Sequence, residues 1–347
     1  MCCGIVLAER TILLWPKARN LVQPPGSTVV LSEVVISLNL SRHHAFGARL
    51  QGVQMSSSPR LGFVQCISAS GLHRMAYHEW GDPANQRVLV CVHGLTRTGR
   101  DFDALARSLS DEYRVVCPDV VGRGRSDWLA DPRGYVLPQY VSDMVTLIAR
   151  LNVEQVDWFG TSMGGLIGIG LAGLVKSPVR KLLLNDVGPR ITAQSMERIG
   201  AYLGLPVRFK TFEEGLAYLQ TISASFGRHT PEQWRELNGA ILKPMQGAEG
   251  LEWGLHYDPA LAVPFKDATP EAMQAGEAAL WAMFEAIQGP TLVVRGAQSD
   301  LLMREILAEM VARGKQVSSV EIPDVGHAPT FVDPAQIAIA RQFFLGS

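Results

Sequence analysis

The chain has 347 residues, 19% of them charged, and a formal net charge of -1, which excludes the basic footprint of a nucleic-acid binder and any acidic tail. That length suits either two domains or one large α/β domain with an insertion, acting on a small molecule. No apolar run reaches the roughly 18 residues of a membrane span, and the start of the chain lacks a secretory signal pattern.

The cysteine count is odd: Cys2, Cys3, Cys66, Cys91 and Cys117. They read as reduced thiols of a cytoplasmic protein, with Cys91 and Cys117 filling core positions inside apolar runs. Residues 1–54 carry an apolar patch at Thr11 to Trp15, a Pro24-Pro25-Gly26 break, a Val29 to Leu40 run and Arg42-His43-His44, without caps or clear periodicity. They read as a poorly structured N-terminal extension, with Met55 as a natural start. His43 and His44 lack the further ligands that a metal site requires.

Order begins beyond Met55. Phe63 to Ser68 and Leu72 to Glu79 flank Ala69-Ser70-Gly71 as a β-hairpin. Arg87 to Val92 is a continuous apolar strand of the kind buried on both faces of a parallel sheet, and it runs into His93-Gly94-Leu95-Thr96. A helix over about 101–109, a strand from Tyr113 to Cys117 and a loop from Asp119 to Ser126 follow. A helix over 137–151 then sets Val141, Met144, Ile148 and Leu151 on one face.

Next comes Gly160-Thr161-Ser162-Met163-Gly164-Gly165, between the strand Val156 to Phe159 and the small-residue helix Leu166 to Leu174. A serine hydroxyl is a weak nucleophile in water, so it needs a base beside it and backbone donors aimed at the developing oxyanion. Strand, G-x-S-x-G and helix form the turn that lifts such a serine above a sheet, and the Met163 N–H at the helix start points where the oxyanion forms. A chance Gly-rich turn would not require this strand-turn-helix context.

Lys181 to Asn185 is another buried strand, ending at Asp186-Val187-Gly188-Pro189. Strands alternating with helices predict a mostly parallel, doubly wound α/β sheet, with ligands at the carboxyl ends of its strands. Residues 190–288 break the alternation and read as helices only, a helical cap over those strand ends. Thr211, Thr230 and Thr269 open helices, the last two each followed by proline and glutamate. Trp253, Tyr257 and Trp281 are its candidate pocket residues. The alternation resumes over 289–347, so that 55–189 and 289–347 form the core. Its strands Thr291 to Val294 and Ser319 to Ile322 end in the loops that contain Asp300 and His327.

Those loops complete the chemistry. A serine on this scaffold takes its histidine and carboxylate in the order Ser, acid, His. His327 is the expected base. Two acids compete, Asp186 and Asp300; Asp300 is preferred because the carboxylate has to reach the imidazole from an adjacent strand end, which leaves Asp186 at the pocket edge or bracing a loop.

From about residue 72 onward the sequence resembles a serine-type α/β-hydrolase with a helical cap. The resemblance rests on His93-Gly94, Gly122-Arg123-Gly124-Arg125-Ser126, the Ser162 turn and the Asp300 and His327 loops. It implies that the Leu95 N–H joins Met163 N–H in an oxyanion hole, and that no cofactor or metal is needed. Ser162 stands where the similar haloalkane dehalogenases and epoxide hydrolases carry aspartate, which argues against those chemistries. Arg123 stands where many relatives have histidine; bracing of its loop is the default role, and contact with an anion the alternative.

The expected activity is hydrolysis of a small or medium-sized carboxylic ester through an acyl-enzyme. Enol-lactonase, carbon–carbon bond hydrolase, hydroxyalkanoate oligomer hydrolase and cofactor-free perhydrolase are alternatives on the same scaffold. A non-catalytic small-molecule receptor fits less well with a complete set of reactive groups. The expected partner is an ester or lactone, with neither nucleic acid nor membrane involved.

Overall fold

The structure, a computed structural model, describes residues 58–247 and 250–346. The expectation for residues 1–54 lies outside the described residues.

A hairpin opens the fold: β1 (Arg60–Ser68) and β2 (Gly71–Trp80) pair antiparallel in continuous register from Arg60 opposite Glu79 to Ser68 opposite Gly71. Then follow β3 (Val88–Val92), α1 (Asp103–Leu109), β4 (Arg114–Pro118), α2 (Leu137–Leu151), β5 (Val156–Thr161), α3 (Met163–Ala172) and β6 (Val179–Asn185). A long excursion carries α4 (Ala193–Tyr202), β7 (Arg208–Phe209), α5 (Phe212–Ile222), α6 (Pro231–Gly239), β8 (Leu242–Gln246), β9 (Leu251–Leu255), α7 (Ala262–Asp267) and α8 (Pro270–Ala286). The chain returns through β10 (Thr291–Gly296), α9 (Arg304–Arg313), β11 (Val317–Ile322) and α10 (Pro334–Leu345). None of the described helices is long and apolar enough to cross a membrane.

Eight strands form one sheet in the order β1-β2-β4-β3-β5-β6-β10-β11. The first two pairings are antiparallel and the rest parallel. Side chains alternate across a strand, so β3 feeds both faces: Val88, Val90 and Val92 join one core, and Leu89 and Cys91 the other. The first core is closed by Met144, Leu147, Ile167, Phe284 and Met310 from α2, α3, α8 and α9. The second is closed by Leu105 and Leu109 of α1 with Ala340 and Phe344 of α10, and Cys91 and Cys117 pack within it as free thiols. Helix layers on both faces leave the carboxyl ends of the parallel strands as the edge where loops meet.

The excursion corrects the helices-only reading of 190–288. Its strands form a separate sheet, ordered β7-β9-β8, with Pro244 opposite Trp253 on an edge strand where a missing N–H is tolerated. Strands this short, interrupted by Pro244 and Gly254, carry little alternation. Helix α8, in turn, belongs with the sheet: Trp281 and Phe284 sit in the main core, and Gly173 at the end of α3 lies against the Met283 backbone.

Candidate active site

Ser162 sits between β5 and α3 with φ 52° and ψ -117°, a conformation that L side chains rarely adopt. The close approach that enforces it is visible at Gly164, where a Cβ would overlap the Val92 carbonyl of β3. The Trp158 indole N–H donates to the Gly164 carbonyl at 3.1 Å and fixes the helix start from below.

His327, in the loop after β11, brings Nε2 to 3.0 Å from Ser162 Oγ. Its Nδ1 lies 2.8 Å from Asp186 Oδ2. Asp186 is fully buried, and its other oxygen accepts the Gly296 N–H at 2.8 Å, while the Ser299 hydroxyl donates to Oδ2 at 2.6 Å. A carboxylate facing Nδ1 puts the imidazole proton there and leaves Nε2 as acceptor for the serine hydroxyl.

This geometry corrects the preference for Asp300. The Asp300 side chain is 57% exposed and pairs with Arg198 at 2.8 Å, whereas the Asp186 carboxyl is 0% exposed. The cause is local. β6 lies directly between β5 and β10, and Asp186 takes φ 56° just beyond its end, so its carboxyl turns back over the strand ends. On the β10 side, Ser299 turns inward to Asp186 and Asp300 turns out.

Around Leu95, the Gly94 carbonyl accepts from His93 Nδ1 at 2.7 Å and from the Arg97 N–H at 3.2 Å. In a trans peptide the N–H points opposite to the C=O, so these bonds aim the Leu95 amide. His93 Nε2 accepts the Val120 N–H at 2.9 Å, and burial pushes this imidazole down to about 4, keeping it neutral. Among the described residues, neither the Leu95 nor the Met163 N–H donates to another backbone group outside the regular elements.

Above Ser162 and His327 opens a pocket floored by Gly94 and Leu95 and walled by Tyr202, Leu219, Ile222, Phe226, Ile241 and Leu255 from the excursion. Tyr257 lines it. Trp253 and Trp281 do not: Trp253 stacks edge-on with Phe212 at 4.9 Å, and Trp281 is buried beneath Arg313, whose guanidinium carbon lies 3.9 Å from its ring. Both tryptophans are packing residues.

One grouping of metal-ligating side chains exists among the described residues, Cys66, His73 and Asp143, buried between the hairpin and α2 with candidate ligand atoms within 4.8 Å of one another. His73 Nε2 lies 3.0 Å from Asp143 Oδ2, and the Gln139 amide donates to Oδ1 at 2.7 Å. Burial, reinforced by Asp143, pushes the Cys66 thiol up to about 12, so it stays protonated in a hydrogen-bonded core cluster.

The model of the alpha/beta hydrolase family matches residues 89–340. The chain belongs to the alpha/beta hydrolase family. This hydrolase is 83% identical over 293 residues to the 3-hydroxybutyrate-oligomer hydrolase of Cupriavidus necator, a match covering 84% of this chain and 100% of that relative. An esterase of Mycobacterium tuberculosis is 24% identical over 286 residues, covering 82% of this chain and 88% of that protein. Among solved structures, an alpha/beta hydrolase from Novosphingobium aromaticivorans superposes with a TM-score of 0.71 at 32% identity, covering 83% of this chain and 99% of that one.

Proposed function

We propose that this hydrolase cleaves ester bonds of 3-hydroxybutyrate oligomers through an acyl-enzyme on Ser162, with His327 as base and Asp186 as the carboxylate that orients it. The observation that carries the mechanism is the relay itself, 3.0 Å from Ser162 Oγ to His327 Nε2 and 2.8 Å from His327 Nδ1 to Asp186. Support for the substrate comes from the 83% identity to a relative named for it.

His327 takes the hydroxyl proton as Ser162 attacks the ester carbonyl, and the Leu95 and Met163 amides receive the oxyanion. The imidazolium then gives its proton to the departing hydroxyl of the next unit. Water, activated by His327, attacks the acyl-enzyme, releases the acid and restores Ser162. No step calls on a redox group or a metal. The walls suit the substrate: an oligomer that repeats a methyl-bearing carbon between ester carbonyls meets Leu219, Ile222 and Ile241 on apolar surface.

Cytoplasmic location is part of the same reading, supported by the free thiols at Cys66, Cys91 and Cys117. A substrate panel tests the specificity. Purified protein given the 3-hydroxybutyrate dimer and trimer, a simple acetate ester, a lactone and a vinylogous diketone is expected to show its highest kcat/KM on the oligomers. A lactone or diketone turned over at least tenfold faster than either oligomer would replace this substrate class with another.

A further inference from the structure

Beyond the relay, Leu95 and Met163 share one charged neighbour, Arg123. Arg123 is fully buried, and among the described residues no carboxylate forms an ion pair with it. A guanidinium without a counter-anion is costly to bury, and its donors are matched instead to neutral acceptors.

Arg123 Nε donates to the Leu95 carbonyl at 2.8 Å, and Nη2 reaches Met163 Sδ at 3.3 Å. Nη1 donates to the Val121 carbonyl at 2.7 Å and to the Tyr140 hydroxyl at 3.0 Å. The guanidinium carbon also lies 5.0 Å from the centre of the Tyr140 ring. Leu95 follows β3 and Met163 follows β5, so the planar fork of one side chain touches both residues whose amides receive the oxyanion. A brace for its own loop would require only the Val121 and Tyr140 bonds.

We propose that Arg123 is a positioning residue for the oxyanion site: it holds Leu95 and Met163 at a fixed separation and sets an uncompensated positive charge behind the place where the alkoxide forms. The inference rests on Ser162 as nucleophile. Substrate binding makes little demand on such a device, because the ground-state carbonyl carries little charge; the transition state makes the full demand.

Arg123→Met and Arg123→Lys test it, assayed on the hydroxybutyrate trimer and by the rate of labelling with a fluorophosphonate, whose phosphoryl oxygen seeks the same amides. Arg123→Met is expected to lower kcat by about ten- to a hundredfold, less than the loss of a direct oxyanion donor, with KM within about threefold. Labelling should slow in parallel. Arg123→Lys keeps the charge but not the fork, and should fall between Arg123→Met and wild type. Should Arg123→Met fail to fold, Arg123→Lys and the volume-conserving Met163→Leu, which removes the sulfur contact, carry the test with the same split of kcat from KM.

Variants that melt lower but keep wild-type kcat and labelling rate would reduce Arg123 to a loop brace and overturn the proposal. Wild-type protein that resists the fluorophosphonate, or a Ser162→Ala control that still turns over, would instead refute the acyl-enzyme reading on which it rests.

Discussion

At the scale of single residues, the site turns on which carboxylate meets His327. Asp186 is held by the Gly296 N–H and the Ser299 hydroxyl as well as by the imidazole, three donors on a fully buried group, while Asp300 is half exposed and bound to Arg198. Asp186→Asn is therefore expected to cut kcat on the trimer by about ten thousandfold through the wrong His327 tautomer, and Asp300→Asn to change it by less than about threefold. A steady-state comparison of the two variants decides the matter; a larger loss at Asp300 would return the role to it. Ser162 and His327 were legible because a strand-turn-helix and a strand-end loop announce them. The choice of acid was not, since both aspartates follow strands, and the decisive difference is a backbone at φ 56° that turns one inward.

At the scale of elements, the turn from β5 into α3 is held by close backbone approach. A methyl on Gly164 would meet the Val92 carbonyl, and rigid backbone rather than a flexible side chain is what has to give. Gly164→Ala should destabilise the protein by about 3 kcal/mol, read as a lower urea midpoint, and remove activity from the molecules that do fold. A midpoint within experimental error of wild type would mean that β3 and α3 do not touch. The excursion was less legible: α5, α6 and α8 announced themselves by threonine caps, but β8 and β9 did not, because Pro244 and Gly254 break any pattern. Its pocket wall gives a second test. Ile241→Trp, which fills the space above Ser162, should lower kcat/KM for the trimer at least tenfold more than for a small acetate ester, and equal losses would place the oligomer elsewhere.

For the whole molecule, buried strands such as Val88–Val92 and Lys181 to Asn185 made the parallel sheet readable, since two helix layers demand apolar residues at successive positions. Packing partners were not readable in this way, which is why Trp281 was expected in the pocket and lies instead in the core beside Phe284. Global stability carries its own pH signature. His93 is buried and neutral, its Nε2 occupied by the Val120 N–H, and its pKa is lowered from 6.5 to about 4, first by burial. Above pH 6.5 neither state binds this proton. As pH falls from there toward 4 only the unfolded chain binds it, so stability is lost across that window, by up to about 3 kcal/mol. Urea unfolding at pH 7.5 and 5.0 should show this drop in wild type and a smaller one in His93→Gln; equal drops would mean that other groups carry it.

The proposed function stands or falls on Ser162 carrying the acyl group of a cleaved hydroxybutyrate ester. Its most direct test is the initial rate at which purified wild-type protein and Ser162→Ala release 3-hydroxybutyrate from the trimer. Steady release by the wild type and a loss of about a millionfold in the variant are expected, the scale seen when the groups of a relay act as a unit. A variant that kept a tenth of the wild-type rate, or a wild type that left the trimer intact, would contradict it.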